Sequence, residues 1–141
     1  MWSGDTHPVT KTPAPRPISP DEAHLIAAII SRSREHGVSH LVDQIPGAVV
    51  VDEAPWIIDI TPKRGTTANN VANGPLAGDA NVSIDGHYQG EIIIWIRDGY
   101  LNGLEYAWVT DEPPTRWPRS DEIEMTEATP DQASDAGQDC P

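Results

Sequence analysis

His36 and His40 stand four residues apart with Asp43 beyond them, a spacing that puts two imidazoles on one helical face where a divalent metal can be held. Gly37 falls between the two histidines and stops a helix there, so the metal reading fails and His36 is assigned to the helix end. His24 and His87 have no evident partner. Asp79, Asn81, Ser83 and Asp85 alternate like the oxygen ligands of a calcium loop, but that loop needs glycine at its sixth position and glutamate at its twelfth. Here those positions are Ile84 and Gly90, and the alternation is that of the polar face of a strand. The Gly-rich run at 65–78 has no Gly-Lys-Ser/Thr behind it and no βαβ frame, which excludes a phosphate cradle of the P-loop type. No Ser, Thr or Cys lies in a nucleophile-elbow context, and the single cysteine, Cys140, is penultimate, so neither a disulfide nor a cysteine metal site is expected. The expectation is no cofactor, no metal and no catalytic residue.

The sharpest local feature is Glu105, in the run from Tyr100 to Trp108. In the simplest hairpin register it shares a face with Ile92, Ile94, Leu101, Ala107 and Val109, an unfavourable place for a carboxylate. Two explanations are open. Either Glu105 is covered and receives hydrogen bonds or a cation, with Arg97 and Lys63 as candidates, or a bulge at Asn102-Gly103 shifts the register and turns it outward. Trp56, Trp95, Trp108 and Trp117 are numerous for a chain without phenylalanine. Trp56 and one of Trp95 and Trp108 are expected in the core. Trp117 sits in Pro113-Pro114-Thr115-Arg116-Trp117-Pro118, where a single ring either clamps the segment back onto the sheet or anchors a partner, and the clamp is favoured. The candidate interaction residues are therefore Glu105, Trp117, Trp95, Trp108 and Arg97.

Several elements must position these groups. Ser19-Pro20-Asp21-Glu22 is a helix start with serine as N-cap, proline in the first turn and Glu22 closing a capping box. Ala23, Ile26, Ala27 and Ile30 give one apolar face, widened by Leu25 and Ile29, and Arg32, Arg34 and His36 complement the dipole before the Gly37 stop. From Leu41 the period changes to that of strands: Val49-Val50-Val51, then Trp56 to Ile60 with Trp56, Ile58 and Ile60 on one face until Pro62. Residues 63–78 read as a long mobile loop. Asp85-Gly86 and Asp98-Gly99 then mark hairpin turns, because a type I′ turn needs positive φ at both central residues. They predict a meander of about 80–84, 87–97 and 100–109, with Ile96 facing Leu101, Ile93 facing Leu104 and Trp95 facing Asn102. Both faces of its central strand carry apolar groups, so a helix on one side and a tail or partner on the other are expected.

The run from Gly90 to Trp108, with Thr110-Asp111-Glu112-Pro113-Pro114 after it, resembles a motif of small actinobacterial proteins that pair a "DGYL-x-x-LE" hairpin with an acidic, proline-containing exit. The resemblance covers about a quarter of the chain, through Asp98, Gly99, Tyr100, Leu101, Leu104 and Glu105, and implies a fold element rather than an activity.

Lys+Arg 9 against Asp+Glu 22 gives a net charge of -13, which repels phosphate backbones and anionic lipid and excludes nucleic-acid and membrane-surface binding as expectations. The segment 111–141 holds nine acids and two arginines, about half of that charge. The Pro-rich residues 1–18 and the acidic residues 120–141 read as disordered tails around one domain at 19–119. No signal-peptide pattern or membrane-spanning run is present, which points to the cytoplasm. The fold expected is α+β: one N-terminal amphipathic helix on a mainly antiparallel sheet of about four to five strands ending in a β-meander. The function expected is that of a small acidic protein-interaction module, of immunity or regulatory type, occluding a basic protein partner. The alternatives are a small-ligand binder or enzyme with a pocket between the helix and the 63–78 loop, using Glu105 with His36 or His40, and a nucleic-acid mimic.

Overall fold

Pro20 opens the helix α1 (Pro20–Arg32) in the computed structural model, which describes residues 13–33, 37–76 and 79–126. Arg34, His36, most of the expected tails and Cys140 lie outside the described residues. Ser19 Oγ accepts from the Glu22 amide at 3.1 Å and Glu22 Oε1 accepts from the Ser19 amide at 3.0 Å, the reciprocal capping box the residue types call for. Leu25, Ile26, Ile29 and Ile30 are fully buried. At roughly 1.5–3 kcal/mol each they contribute about 6–12 kcal/mol of gross burial, well beyond any cap, so packing holds the helix. The helix ends at Arg32 with Ser33 as C-cap, short of the expected stop at Gly37. Gly37, at φ 82°, instead precedes a 3₁₀ helix, Val38–Gln44, whose Val38, Leu41 and Gln44 recur every three residues and are buried.

The strands are β1 (Arg16–Pro17), β2 (Val49–Ala54), β3 (Ile57–Thr61), β4 (Gly74–Pro75), β5 (Asp79–Ile84), β6 (His87–Arg97), β7 (Tyr100–Trp108) and β8 (Ile123–Thr126). They form one 8-stranded antiparallel sheet in the order β1-β2-β3-β7-β6-β5-β8, with β4 paired to β6 off this path. The sheet is thus larger than four to five strands, and β1 and β8 extend it beyond 19–119 on both sides. Asp85 and Gly86 have φ of 53° and 80°, Asp98 and Gly99 of 52° and 82°, as type I′ turns require. Trp95 pairs with Gly103 and Ile96 with Leu101, which leaves Asn102 as a bulge. Beyond it Leu104 meets Ile94 and Glu105 meets Ile93, one residue off the simple register, so the bulge reading of Glu105 holds. Trp56 is not in a strand: Ala54 pairs with Ile57, and Trp56 sits in the turn between them at φ 67°.

Val50, Ile58, Ile60, Val82, Ile94 and Leu104 form the sheet side of the core beneath α1 and Leu41 of the 3₁₀ helix. The core is built of aliphatic residues. Trp56 is half-buried against it, Trp95 is half-buried and Trp108 is 36% exposed, so the expected tryptophan bulk is not what fills it. No described helix is long and apolar enough to cross a membrane.

Candidate functional site

Strand alternation carries Val51, Ile57, Asp59, Glu91, Ile93, Trp95, Glu105 and Ala107 to the face of the sheet away from α1. There Glu105 lies between Ile57 of β3 and Ile93 of β6, and Gly103 between Asp59 and Trp95. The indole of Trp95 lies over Gly103, whose missing Cβ would stand 3.5 Å from Cδ1, and its Nε1 donates to Glu105 Oε1 at 3.2 Å. Glu105 therefore has an indole as its partner, not Arg97 or Lys63. The result is an apolar centre of Ile57, Ile93, Trp95 and Ala107 that no described element covers.

Carboxylates surround that centre. Asp79, Asn81 and Glu124 share the same side through the β5–β6 and β5–β8 registers, and Glu53 projects at the β2 bulge next to Asp59. Glu53, Asp59, Asp79, Glu91, Glu105 and Glu124 form no ion pair among the described residues. A hydrogen bond to Asp59 and repulsion from its charge raise the Glu53 pKa, the signature of two acids without a cation. Arg97 and Trp108 stand apart at the two ends of the hairpin, opposite Tyr100 and Gly90.

Trp117 lies on the helix side, the side that strand alternation also gives Trp108, and away from Trp95 and Glu105. Its ring meets Trp56 edge-on at 5.2 Å and stacks on Tyr106 at 6.3 Å, and its Nε1 donates to Glu22 Oε2 at 3.3 Å. The clamp reading is the one the structure contains. The same loop is used twice around it. Arg16 donates bidentately to Glu22 at 3.0 and 2.7 Å and to the Pro17 carbonyl, and Glu22 caps the Ser19 amide. Arg116 donates bidentately to Glu122 at 2.8 and 2.9 Å and to the Trp117 carbonyl, and Glu122 caps the Arg119 amide. Both are an arginine six residues before a glutamate that follows an aspartate, and both glutamates are buried. Burial alone would raise Glu22, but bonds from Arg16 and the Ser19 amide outweigh it and lower its pKa. Glu122 is held at about 2, chiefly by the hydrogen bond from Arg116, against burial and helped by the Arg119 amide.

The third arrangement is a cavity of about 730 Å³ between the 3₁₀ helix and the 63–70 loop, with His40, Asp43, Lys63 and Arg64 on its rim. The expected pocket lay between the N-terminal helix and the 63–78 loop; this cavity shares the loop, but its other wall is the 3₁₀ helix and no α1 residue lines it. Glu105 does not line it, so the pairing of Glu105 with His40 is not made. No group of three His, Cys, Asp or Glu side chains converges among the described residues. Around the cavity the loop is tied down by buried Gln44, which donates to the carbonyls of Thr67 at 3.1 Å and Gly99 at 2.9 Å and accepts from the Leu101 amide at 2.7 Å.

No family model, curated protein or solved structure matches this chain. The site residues therefore rest on geometry alone.

Gln44 is the functional-grade residue that sequence reasoning missed. Its signal was present as the Val38, Leu41, Gln44 spacing of three, hidden because the segment was read as the approach to a strand. Gly99 is the other: a Cβ there would stand 2.2 Å from the Asn69 carbonyl oxygen, so glycine serves both the turn and the seat of the loop. The expectation of a mobile loop at 63–78 is met by a segment with fixed contacts in its described part, including the strand pairing of Gly74 and Pro75 with Ile96 and Trp95.

Proposed function

We propose that this chain is an acidic protein-interaction module whose uncovered sheet face docks on a basic surface of a cytoplasmic protein partner and occludes it. The observation that carries this reading is the set of six carboxylates, without an ion pair among the described residues, around Ile57, Ile93, Trp95 and Ala107 on a face no described element covers. An apolar centre with a charged rim is the anatomy of a protein interface, in which central aromatic and aliphatic groups supply affinity and rim charges supply orientation and on-rate. The apolar centre also separates this surface from a plain array of phosphate-like charges, which favours the protein-partner reading over nucleic-acid mimicry. Lysine or arginine from a partner, placed between Glu53 and Asp59, would remove the repulsion that raises Glu53.

The test is capture of the partner by the full chain, followed by measured binding of the purified pair. Asp59→Lys with Glu91→Lys should weaken binding at least about tenfold, while Asp111→Lys with Glu112→Lys, the same change in net charge on the exit segment, should not. Affinity should fall between about 0.1 M and about 0.5 M salt as screening tightens. Equal losses for the two charge-reversal pairs would reduce the effect to net charge and sink the assignment of this face.

A further inference from the structure

We propose that the cavity between the Val38–Gln44 helix and the 63–70 loop is a binding site for a small phosphorylated polyol, with Lys63 and Arg64 taking the phosphate and Asp43 accepting ligand hydroxyls. This goes beyond the sheet-face reading and does not rest on it. The volume of about 730 Å³ falls within the roughly 300–1,000 Å³ of small-molecule sites.

Charge supplies the first argument. Among the described bases, Arg16, Arg116 and Arg119 are in ion pairs, and Arg32 donates to the Ser120 and Ile123 carbonyls. Lys63 and Arg64 are adjacent, exposed, and make no ion pair or side-chain hydrogen bond among the described residues. In a chain with 22 acids and 9 bases, two neighbouring cations without an ion pair among the described residues outnumber Asp43 in the cavity lining and give this site the opposite sign to the molecule as a whole. The stem of Lys63 is laid across Gly47, at φ 79°, where a Cβ would stand 3.0 Å from Lys63 Cδ.

The loop backbone supplies the second. The Lys63 carbonyl accepts from the Thr66 amide at 3.1 Å and from the Thr66 hydroxyl, the Thr66 carbonyl from the Tyr100 hydroxyl at 3.2 Å, and the Thr67 carbonyl from Gln44. Asn69 is fixed at both ends, its amide on the Gly99 carbonyl at 2.8 Å and its Nδ2 on the Gly37 carbonyl at 3.1 Å. Two loop carbonyls are thereby engaged by donors from outside the loop and a third by the loop's own Thr66, and the loop is held in place before any ligand arrives, which lowers the ordering cost of binding. A rim of two cations, with His40, threonine and asparagine side chains beside them, suits a phosphate monoester. No Phe, Tyr or Trp lines the cavity, which leaves the His40 imidazole as the one ring in its lining, a poor platform for a nucleobase, and Asp43 is placed for hydroxyl donors.

The experiment is an amide NMR titration of the full chain with ribose 5-phosphate, inorganic phosphate and ribose, each to about 10 mM. Saturable shifts confined to Gly65–Asn70 and the Val38–Gln44 helix are expected with ribose 5-phosphate, at least about tenfold tighter than with phosphate and absent with ribose. Lys63→Gln with Arg64→Gln should weaken binding by about tenfold or more, with the remaining spectrum unchanged, and Arg97→Gln should not. Equal affinity for phosphate and ribose 5-phosphate would reduce the site to a counter-ion position and overturn the polyol assignment. No shifts at either phosphate, or unaltered binding in the double variant, would overturn the site itself.

Discussion

Replacing Glu122 by glutamine keeps shape and volume but removes the charge that Arg116 and Arg119 surround, and it should flatten the acid limb of the stability profile. Glu122 is 7% exposed and its pKa lies near 2 in place of the ordinary 4.5, chiefly through the Arg116 hydrogen bond. At 1.36 kcal/mol per unit that shift corresponds to a ceiling of about 3.4 kcal/mol. Arg116 and Arg119 are 44% and 65% exposed, so solvent screens the pair and the expected contribution is about 1–2 kcal/mol. The sign follows from the lowered value. The unfolded chain takes up a proton near pH 4.5 while the folded chain resists until near 2, so the stabilisation is complete above the unfolded pKa and is lost as pH falls between these values. Urea unfolding followed by tryptophan fluorescence at pH 7, 4 and 3 measures it. The variant should be about 1–2 kcal/mol less stable at pH 7, and the gap should narrow steadily towards pH 3. Parallel profiles would show that Glu122 is not ionised in the fold and would refute the clamp as an ion pair. Glu22, also lowered, keeps its own acid dependence in this variant, so a slope remains in both proteins.

Two further outcomes follow from the same contacts. Gln44→Leu leaves the Leu101 amide and the Thr67 carbonyl without their partner and the Gly99 carbonyl with the Asn69 amide alone, and should cost about 2–4 kcal/mol at any pH, with faster hydrogen exchange at the Leu101 amide than at amides of the β5–β6 pair. Trp117→Ala removes the ring between Trp56 and Tyr106 and the donor to Glu22, and should cost about 2–3 kcal/mol in urea titrations, yet leave binding of the purified partner unchanged because the ring lies on the helix side of the sheet.

The parts of the fold that were legible in the sequence are those whose cause is local. Ser19 to Glu22 carry a capping box within four residues, and each Asp-Gly pair sets its own turn by backbone sterics, so both appear where the residues say. Features fixed by distant partners were not legible. Arg16–Pro17 and Gly74–Pro75 are strands of two residues that pair only because β2 and β6 present free edges to them. Ile123–Thr126 alternates correctly but stands in an acidic stretch, and it becomes β8 because Arg32 and the Arg116–Glu122 loop bring it to β5. Periodicity places Trp56 in a strand, whereas Pro55 and the Ala54–Ile57 pairing make a turn that the Tyr106 amide pins through the Trp56 carbonyl at 2.9 Å. For the site, Glu105 was identified as misplaced and the bulge as one cause; which residues would surround it depended on a register that only the pairing of Trp95 with Gly103 decides.

Charge is divided between the two faces of this sheet in a way that net charge conceals. Sixteen of the acids and seven of the bases belong to described residues, a difference of -9 out of -13, so the acidity is a property of the folded part more than of the carboxyl-terminal segment. The ion pairs formed there tie β1 to the helix and to β2, or lie within the 116–122 segment: Arg16 with Glu22 and Asp52, Arg116 with Glu122, Arg119 with Asp121 and Glu122. Two of these acids are buried and could not remain charged without their arginines, whereas the acids of the open face remain in water and tolerate having none. Were the arginines present only to offset net charge, those more exposed acids would be as suitable as partners. Their concentration on Glu22 and Glu122 instead closes the helix side, and six of the twelve acids that make no ion pair among the described residues stand on the one face where an incoming cation meets them around an apolar centre.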